Sequence, residues 1–333
     1  MPVARFFYDE SGNISRQERD TNGDGKMDRW VFYREGKIER VEQDENSDGK
    51  PDITLFYEEG RLRRQEVSSK RDGRVDRIVH FEEEKISRIQ EDTNGNGKID
   101  SFSYFQDGQL VKKEVDRKHA GKIDLWGYYR EGRLLRQEED LNGDGKADRI
   151  LHFQGEVLVR REEDSQGGGR LDLTEFFSEG KLTKRFLDRK GSGRFDILYV
   201  FKDNRLVRED RDTDGDGNFD LRIFYENGEV VRQEADTNRD RLVDVWAAYK
   251  SGKRIQQEED LNFNGKIDAR YFFKEGQVIG QEQVAEIEPE TPAMPFSSVQ
   301  DELRSAAAQV GPAEEQRKKV AAKTDLESGT DKK

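Results

Sequence analysis

A nine-residue phrase, D-x-N-x-D-G-x-x-D, first occupies Asp20, Asn22, Asp24, Gly25 and Asp28. Calcium takes six to eight hard oxygen ligands at short range. In a curling loop, oxygen-bearing side chains at positions 1, 3 and 5 converge on one point. A glycine at position 6 permits the sharp turn, position 7 offers a carbonyl and position 9 closes the cage. Full sets recur at Asp44, Asn46, Asp48 and Asp52, at Asp140, Asn142, Asp144 and Asp148, and at Asp212, Asp214, Asp216 and Asp220. The copy at Asp236, Asn238, Asp240 and Asp244 keeps its ligands although Arg241 stands where the others have glycine. With asparagine at position 5 the phrase becomes Asp92, Asn94, Asn96 and Asp100, and again Asp260, Asn262, Asn264 and Asp268. These residues are the candidate ligands, and several Ca2+ ions are the expected cofactor. The competing reading is a polar turn held by Asx hydrogen bonds without metal.

The degenerate copies are informative. Lys70, Lys118 and Lys190 replace the position-3 residue, while acceptors are thinned to Ser68, Ala120 or Ser192. An ammonium is expected to stand in for the metal there, against the remaining aspartate. The copy around Gln166, DSQGGGRLD, simply lacks ligands. Because aspartate at position 9 persists in these copies, it is expected to serve a metal-independent role, binding loop amides. Five complete loops with one divalent ion each would add about +10 to a net charge of −13.

The loops recur with a fixed period of 24 residues, from Asp20, Asp44 and Ser68 through to Asp260. Position 9 is aspartate in every copy, and position 14 is always aromatic, from Tyr33 and Tyr57 to Tyr249 and Phe273. No insertion breaks the register, so each unit meets its neighbours through the same geometry. Arg5 to Arg19 is the second half of one further unit. The array therefore spans residues 1–284, a partial unit at 5–19 followed by eleven units of 24 residues from position 20. Opening in mid-repeat raises the expectation of upstream sequence that includes a signal. Residues 285–333 read as a disordered charged tail, with a short helix expected around Val299 to Val310.

Each unit holds two short strands, typified by Arg29–Tyr33 and Lys37–Val41, rich in β-branched and aromatic residues in the first. Glu35-Gly36, Asp107-Gly108, Asn227-Gly228 and Ser251-Gly252 mark two-residue hairpin turns, which need positive φ. Such a turn sets Tyr33 opposite Ile38, and by strict alternation Val31 opposite Arg40. The position-14 aromatics thus face Ile38, Leu62, Ile86 and their successors. By the same count the row Arg40, Arg64, Arg88, followed two residues on by Glu42 and Glu66, shares the aromatic face, where it suits either a ligand-binding arginine ladder or cross-strand Arg–Glu pairs on a solvated face. The fold class expected is all-β, tandem 24-residue hairpins in an elongated, curled antiparallel sheet, with a two-sheet parallel β-solenoid as the alternative.

Composition narrows function. Hydrophobic residues make up 32% and charged residues 39%, close to the disordered regime, yet aromatics reach 10%. A regular repeat uses that small apolar allowance. The acidic balance argues against nucleic acid and anionic membrane as partners. There is no cysteine, and no apolar run approaches the roughly 18 residues of a membrane helix. His80 and His152 occupy position 13, where other copies carry Phe or Tyr, and are expected to pack on strands; His119 sits in a degenerate loop. Carboxylate pairs repeat in every unit, whereas an active site breaks a repeat once, so no enzyme is expected. Trp30, Phe102, Trp126 and Trp246 at position 11 suit packing or stacking on sugars.

The loop resembles the calcium loops of FG-GAP (integrin-type propeller), thrombospondin type 3 and dockerin modules. The period is too short for a propeller blade, and thrombospondin type 3 repeats carry cysteine. The hairpin half, as in FFYDESGNISRQE and FYENGEVVRQE, is similar to YD (Rhs-type) repeats and to MORN-like bacterial antitoxin repeats, over about Arg5 to Val284. That resemblance implies successive hairpins joined into a long, curled sheet. YD proteins often enclose a toxin domain, and the tail from Ala285 does not look like one. The expected function is an extracytoplasmic (periplasmic, cell-surface or secreted), non-enzymatic calcium-binding scaffold, spacer or adhesin. Calcium at millimolar levels outside cells would saturate loops binding at about 10⁻⁴–10⁻³ M. The alternatives are a platform for cell-surface glycan or protein on one sheet face, and a carbohydrate-active enzyme.

Overall fold

A computed structural model describes residues 3–289 and 294–309. The chain divides into two units, residues 1–147 and 148–333. The first unit contains β1 (Ala4–Tyr8), β2 (Ile14–Arg19), β3 (Arg29–Arg34), β4 (Lys37–Gln43), β5 (Ile53–Glu58), β6 (Arg61–Val67), β7 (Arg77–Glu82), β8 (Lys85–Glu91), β9 (Ser101–Gln106), β10 (Gln109–Val115), β11 (Leu125–Arg130) and β12 (Arg133–Glu139). The second contains β13 (Arg149–Gln154), β14 (Val157–Glu163), β15 (Leu173–Ser178), β16 (Lys181–Leu187), β17 (Ile197–Lys202), β18 (Arg205–Arg211), β19 (Leu221–Glu226), β20 (Glu229–Ala235), β21 (Val245–Lys250), β22 (Lys253–Glu259), β23 (Ile267–Lys274), β24 (Gln277–Ile287) and the helix α1 (Val299–Gln309). Within each unit every strand pairs antiparallel with the next in the chain. Hairpins therefore alternate with metal-type loops, and the parallel solenoid is excluded. Within each unit the antiparallel pairs follow chain order and leave the sheet open. Among the described residues no helix is long and apolar enough to cross a membrane.

The hairpin turns have the backbone that the dipeptides demand. Glu35 and Gly36 sit at φ of 51° and 77°, the left-handed pair of a primed turn, whose twist matches that of the strands. Tyr33 opposes Ile38 as expected. Beyond that pair the register slips by one, between Phe32 and Tyr33, so that Arg40 opposes Phe32 and Val31 opposes Val41. Glu39 is the extra residue of a β-bulge. A one-residue shift moves all later side chains to the other face. The arginine row therefore lies on the face opposite Tyr33, correcting the simple alternation. The bulge recurs, as at Phe56/Tyr57 and Phe224/Tyr225.

This slip decides where burial is deepest. Val31 and Val41 are 6% and 2% exposed, whereas Ile38 is 38% exposed. The position-14 aromatics are half-buried, so each Tyr33/Ile38-type pair gains only part of the roughly 1.5–3 kcal/mol that full burial gives a large apolar side chain.

The second unit adds a layer. Phe176, Phe186, Leu198, Phe219, Trp246 and Ile267 form a buried cluster with Phe296, Val299 and Ala306. Residues 294–309 are thus not a disordered tail but a strap lying on the sheet, and the expected helix occupies Val299–Gln309. Residues 310–333 lie outside the described residues. The Ser298 hydroxyl caps α1, accepting the Asp301 amide at 3.1 Å. The strap's backbone also joins the loops: the Val299 amide donates to the Gly217 carbonyl at 3.0 Å and the Phe296 amide to the Arg241 carbonyl at 2.9 Å.

Candidate metal centre

Each nine-residue loop is wound around its own carboxylates. In the first, Asp20 accepts the amides of Gly23 (2.6 Å) and Gly25 (3.0 Å), one on each oxygen. The side-chain oxygen of Asn22 accepts the Asp24 amide at 2.9 Å, and Asp24 accepts the Lys26 amide at 2.8 Å. Asp28 closes the loop by accepting the Thr21 and Asn22 amides. Position 6 favours glycine because the turn runs at positive φ, 88° at Gly25, although Arg241 takes the same position at 73°.

The same winding engages the predicted ligands of the other loops. Asp48 accepts the Lys50 amide at 2.8 Å. Asn94 accepts the Asn96 amide at 2.9 Å, and Asn96 in turn accepts the Lys98 amide at 2.8 Å. Asn142 and Asp144 repeat this pair, accepting the Asp144 and Lys146 amides, each at 2.8 Å. Asn238 accepts the Asp240 amide at 2.8 Å. Asn264 accepts the Lys266 amide at 2.9 Å. Asp268 accepts the amides of Leu261 (2.8 Å) and Asn262 (3.1 Å), and the Asn262 side chain donates to its other oxygen at 3.1 Å. These are Asx turns, in which a short polar side chain holds the backbone two residues on.

Position 9 does what its persistence in degenerate copies implied. Asp172 accepts the Ser165 amide at 2.6 Å in the copy with fewest ligands, and Asp196 accepts Arg189 at 2.9 Å. These aspartates are buried, with Asp172 at 4% exposure. Their amide bonds are independent of any ion.

Loop amides lower several of the carboxylates. The Lys26 amide, helped by the Ser47 hydroxyl, holds Asp24 below its ordinary value. Burial pushes Asp92 and Asp140 up, but the loop amides of Gly97 and Gly95, and of Gly145 and Gly143, outweigh it and leave both lowered. The Asn218 amide groups lower Asp216. Asp220 goes the other way, raised by burial that its bonds to Thr213 only partly offset.

Among the described residues, two sets of three carboxylates come within 4.8 Å of one another: Asp212, Asp214 and Asp216, and Asp236, Asp240 and Asp244. In the first set the close carboxylates are those of positions 1, 3 and 5, and in the second those of positions 1, 5 and 9. Asp220, and the aspartates of the loops at Asp20, Asp44 and Asp140, do not form such a set. Asp48 and Asp144 are exposed on their loops, and neither they nor Asp268 belongs to either set. Asn94, Asn96, Asn142, Asn238, Asn262 and Asn264 are likewise exposed and bring no carboxylate. Asx turns do not separate the two groups, since Asp216 and Asp240 make them too, accepting the Asn218 and Leu242 amides at 2.7 Å each.

The loop at Asp44 carries a further mark, which Asp100 and Asp124 of two other loops share singly. Asp44 and Asp52 are 4% and 3% exposed, and one oxygen of each, Oδ1, is buried without a hydrogen-bond partner. Their other oxygens are bound by the Gly49 amide at 2.7 Å and the Glu45 amide at 2.8 Å. Buried anionic oxygens without partners are expensive, and a cation bound at them would offset that cost. Asp148 belongs to the second unit and is buried.

The lysines of the degenerate loops do not turn back onto their own aspartates. Lys118 Nζ donates to the carbonyls of Asp140 (3.3 Å) and Leu141 (2.7 Å), and Lys190 Nζ to those of Asp212 (3.1 Å) and Thr213 (3.0 Å). Lys70 likewise lies over Gly95 of the following loop, where an added Cβ would meet its Nζ at 2.1 Å. A four-carbon stem is too long to fold back within so tight a loop but spans the gap between neighbours. Position 3 is therefore an inter-loop link. Asn46 and Gln166 make it with amides, to the Arg71 carbonyl at 2.8 Å and the Asp188 carbonyl at 3.3 Å. The sequence signal was present, a cation or amide at one position in successive copies, but its direction was not.

The histidines pack on strands or bridge loops. His80 meets Gln90 at 2.9 Å, His152 meets Glu162 at 2.7 Å, and His119 lies 3.2 Å from Asp100. Trp246 is 8% exposed, while Trp30, Phe102 and Trp126 are half-buried.

No family model matches the sequence, and no curated protein matches it. Among solved structures, the crystal structure of TcdB2-TccC3-TEV is similar at 15% identity with a TM-score of 0.19. The match covers 85% of this chain and spans 17% of that one.

Proposed function

We propose that the protein is a non-enzymatic, calcium-binding repeat scaffold of the cell envelope or extracellular space, acting as a spacer or adhesin. The observation that carries this reading is the pair of buried, unpartnered oxygens on Asp44 and Asp52. The loop at Asp44 uses one oxygen of Asp44 and one of Asp52 to hold its own backbone and leaves the other of each buried and unpartnered; hard carboxylate oxygens are the donors that a divalent cation takes. The carboxylate sets at Asp212, Asp214 and Asp216 and at Asp236, Asp240 and Asp244 add a second line of support. Asp20, Asn22, Asp24 and Asp28, the Asp140–Asp148 loop and the loops at Asp92 and Asp260 would bind more weakly or not at all. Calcium has a narrower role here than joining every pair of hairpins, since lysine and amide side chains already link loops that lack a full donor set. It would neutralise the acidic loops and stiffen them.

Calorimetric titration with calcium, paired with thermal melts in excess EDTA, tests the reading. At tenfold excess over its Kd, each occupied loop stabilises by about 1.4 kcal/mol. Asp52→Asn should remove one binding event and leave the remainder. A folded sample that gives no heat at millimolar calcium, with a melting midpoint indifferent to EDTA, would sink it.

A further inference from the structure

The sheet face that bears the arginine row is built the same way in both units. Along β4, β6 and β12 the row cation pairs with an acid two residues on: Arg40 with Glu42 at 3.0 Å, Arg64 with Glu66 at 3.2 Å, Arg136 with Glu138 at 2.5 Å. Each guanidinium covers the aromatic ring opposite, Arg40 lying 4.2 Å from the Phe32 centroid and Arg64 4.1 Å from that of Phe56. The pairs run along strands, not across them. Cation, ring and acid thus satisfy one another within the repeat.

At one place in each unit the acid is missing. In the second unit Lys184 is followed by Phe186, flanked across the sheet by Thr174 and Leu198. The carboxylate comes instead from the strap. Glu302 takes Lys184 at 2.6 Å and Arg208 at 3.4 Å, while Val299 and Ala306 seat on the apolar run beside them. Burial would raise the Glu302 carboxyl, but Lys184 and Arg208 overcome it and hold it lowered.

The matching place in the first unit is Arg88 on β8, followed by Gln90. Gln90 is flanked across the sheet by Ile78 and Phe102, both half-buried. No ion pair reaches Arg88 among the described residues; its buried Nε lacks a hydrogen-bond partner, as do those of Arg40 and Arg64 in the same row, so the missing acid is what sets Arg88 apart. The rest of this row carries Glu42, Glu66, Glu114 and Glu138. Only around Arg88 do an unpaired cation and an uncharged strip coincide, as they do beneath the strap.

We propose that the face centred on Arg88 docks an amphipathic segment of a partner protein, one that presents a carboxylate beside aliphatic residues as Glu302, Val299 and Ala306 do. Charge complementarity and the strap's own chemistry fix the kind of partner. The occupant is not this chain's strap, because residues 294–309 are already seated on their own unit, with Phe296 at 3% exposure.

The test uses the full chain and, as the probe, a labelled synthetic peptide of residues 294–309. Peptide binding read by fluorescence anisotropy should weaken about tenfold or more with Arg88→Ala, or with Glu302→Gln in the peptide, the loss expected for a charge-assisted contact. Gln90→Glu is the sharper variant. It restores the acid found elsewhere in the row, leaves Arg88 in place, and should abolish docking without disturbing the fold. Lys184→Ala in the protein should leave peptide affinity unchanged. Absence of binding at millimolar peptide overturns the proposal. So does binding that responds to Lys184→Ala but not to Gln90→Glu, which would mean exchange with the strap. Self-association of the full chain that Glu302→Gln abolishes would assign the face to a second copy and overturn it equally.

Discussion

The two units share one 24-residue register and diverge in what they do with the same face. In the first, the best-buried apolar side chains are Val31, Val41, Val79 and Ile89, and the arginine row stays half-exposed. In the second, Phe186 and Leu198 are fully buried beneath the strap. Departures from the repeat are what made the difference. Phe186 replaces the acid, and Arg222 stands at position 11, where it pairs with Asp210 at 3.3 Å and Glu234 at 3.1 Å and donates to the Met294 carbonyl at 3.0 Å. Regularity in such an array maintains the sheet; a break in the regularity marks a place where something else binds. Both close carboxylate sets lie in the loops whose backbones the strap also holds, at Gly217 and Arg241.

The largest test of that contrast is Phe296→Ala. Phe296 lies under the Arg222 guanidinium, 4.6 Å from ring centroid to carbon. Emptying its site should cost about 3 kcal/mol, the usual toll of removing a buried phenylalanine. Hydrogen exchange should show β16 to β21 losing protection while β3 to β8 keep theirs. Equal losses in both units would erase the distinction between strapped and open faces.

Acid should release the strap more gently. The folded value of Glu302 lies below its ordinary 4.5, so its contribution is fully present above about pH 4.5 and disappears as pH falls through the lower folded value. Asp210, raised by burial despite Arg208 and Arg222 beside it, takes up a proton earlier and frees Arg208 on the way down. A fluorophore on Ser305→Cys should report undocking in that window, worth about 1–2 kcal/mol. Glu302→Gln should flatten the transition. A profile unchanged by Glu302→Gln would place the titrating group elsewhere.

Much of this was legible before any coordinates. Period, hairpins, primed turns, the pairs of Tyr33 with Ile38, and the amide-binding duty of position 9 all follow from local chemistry that each copy repeats. The helix was visible too, because Val299, Leu303 and Ala306 recur at helical spacing. The bulge at Glu39 was not, since nothing in its residue type announces an extra residue and a period of two has no means of counting one. That single slip reversed the face of the arginine row. Nor does spacing tell which loops bring their carboxylates together: Asp48 and Asp144 occupy the same loop position as Asp216 and Asp240, yet among the described residues only the latter two join close carboxylate sets. The reach of Lys118 and Lys190 was hidden because it depends on how far apart stacked loops lie. Docking of the strap joins residues 94 and 118 positions apart, beyond any local signal, yet Phe186 after Lys184 was its printed trace.

A smaller effect separates lysine-linked loops from the rest. Lys190→Met would strip the ammonium from the carbonyls of Asp212 and Thr213. Because Lys190 is exposed, the cost should be no more than about 1 kcal/mol. The expected readout is looser exchange at the Asp212 loop alone, restored in part by calcium. A loss that spreads through the second unit would make the lysine a folding determinant instead of a link between two loops.

The smallest effect is the most discriminating. Arg239 occupies φ of 70° where most copies have glycine, a strain of about 1–2 kcal/mol for a side chain. Its guanidinium holds Asp214 Oδ2 at 2.8 Å, one residue of the Asp212, Asp214 and Asp216 set. Arg239→Gly relieves the strain, gives back about 0.4–1 kcal/mol through a freer unfolded chain, and removes an exposed ion pair worth under about 1 kcal/mol. In EDTA these terms should cancel to within about 0.5 kcal/mol. In calcium the variant should gain, because the oxygen that Arg239 covered becomes available to the ion. A gain of equal size in both conditions would mean that relief of backbone strain is the whole effect, and that the arginine was never standing where a metal belongs.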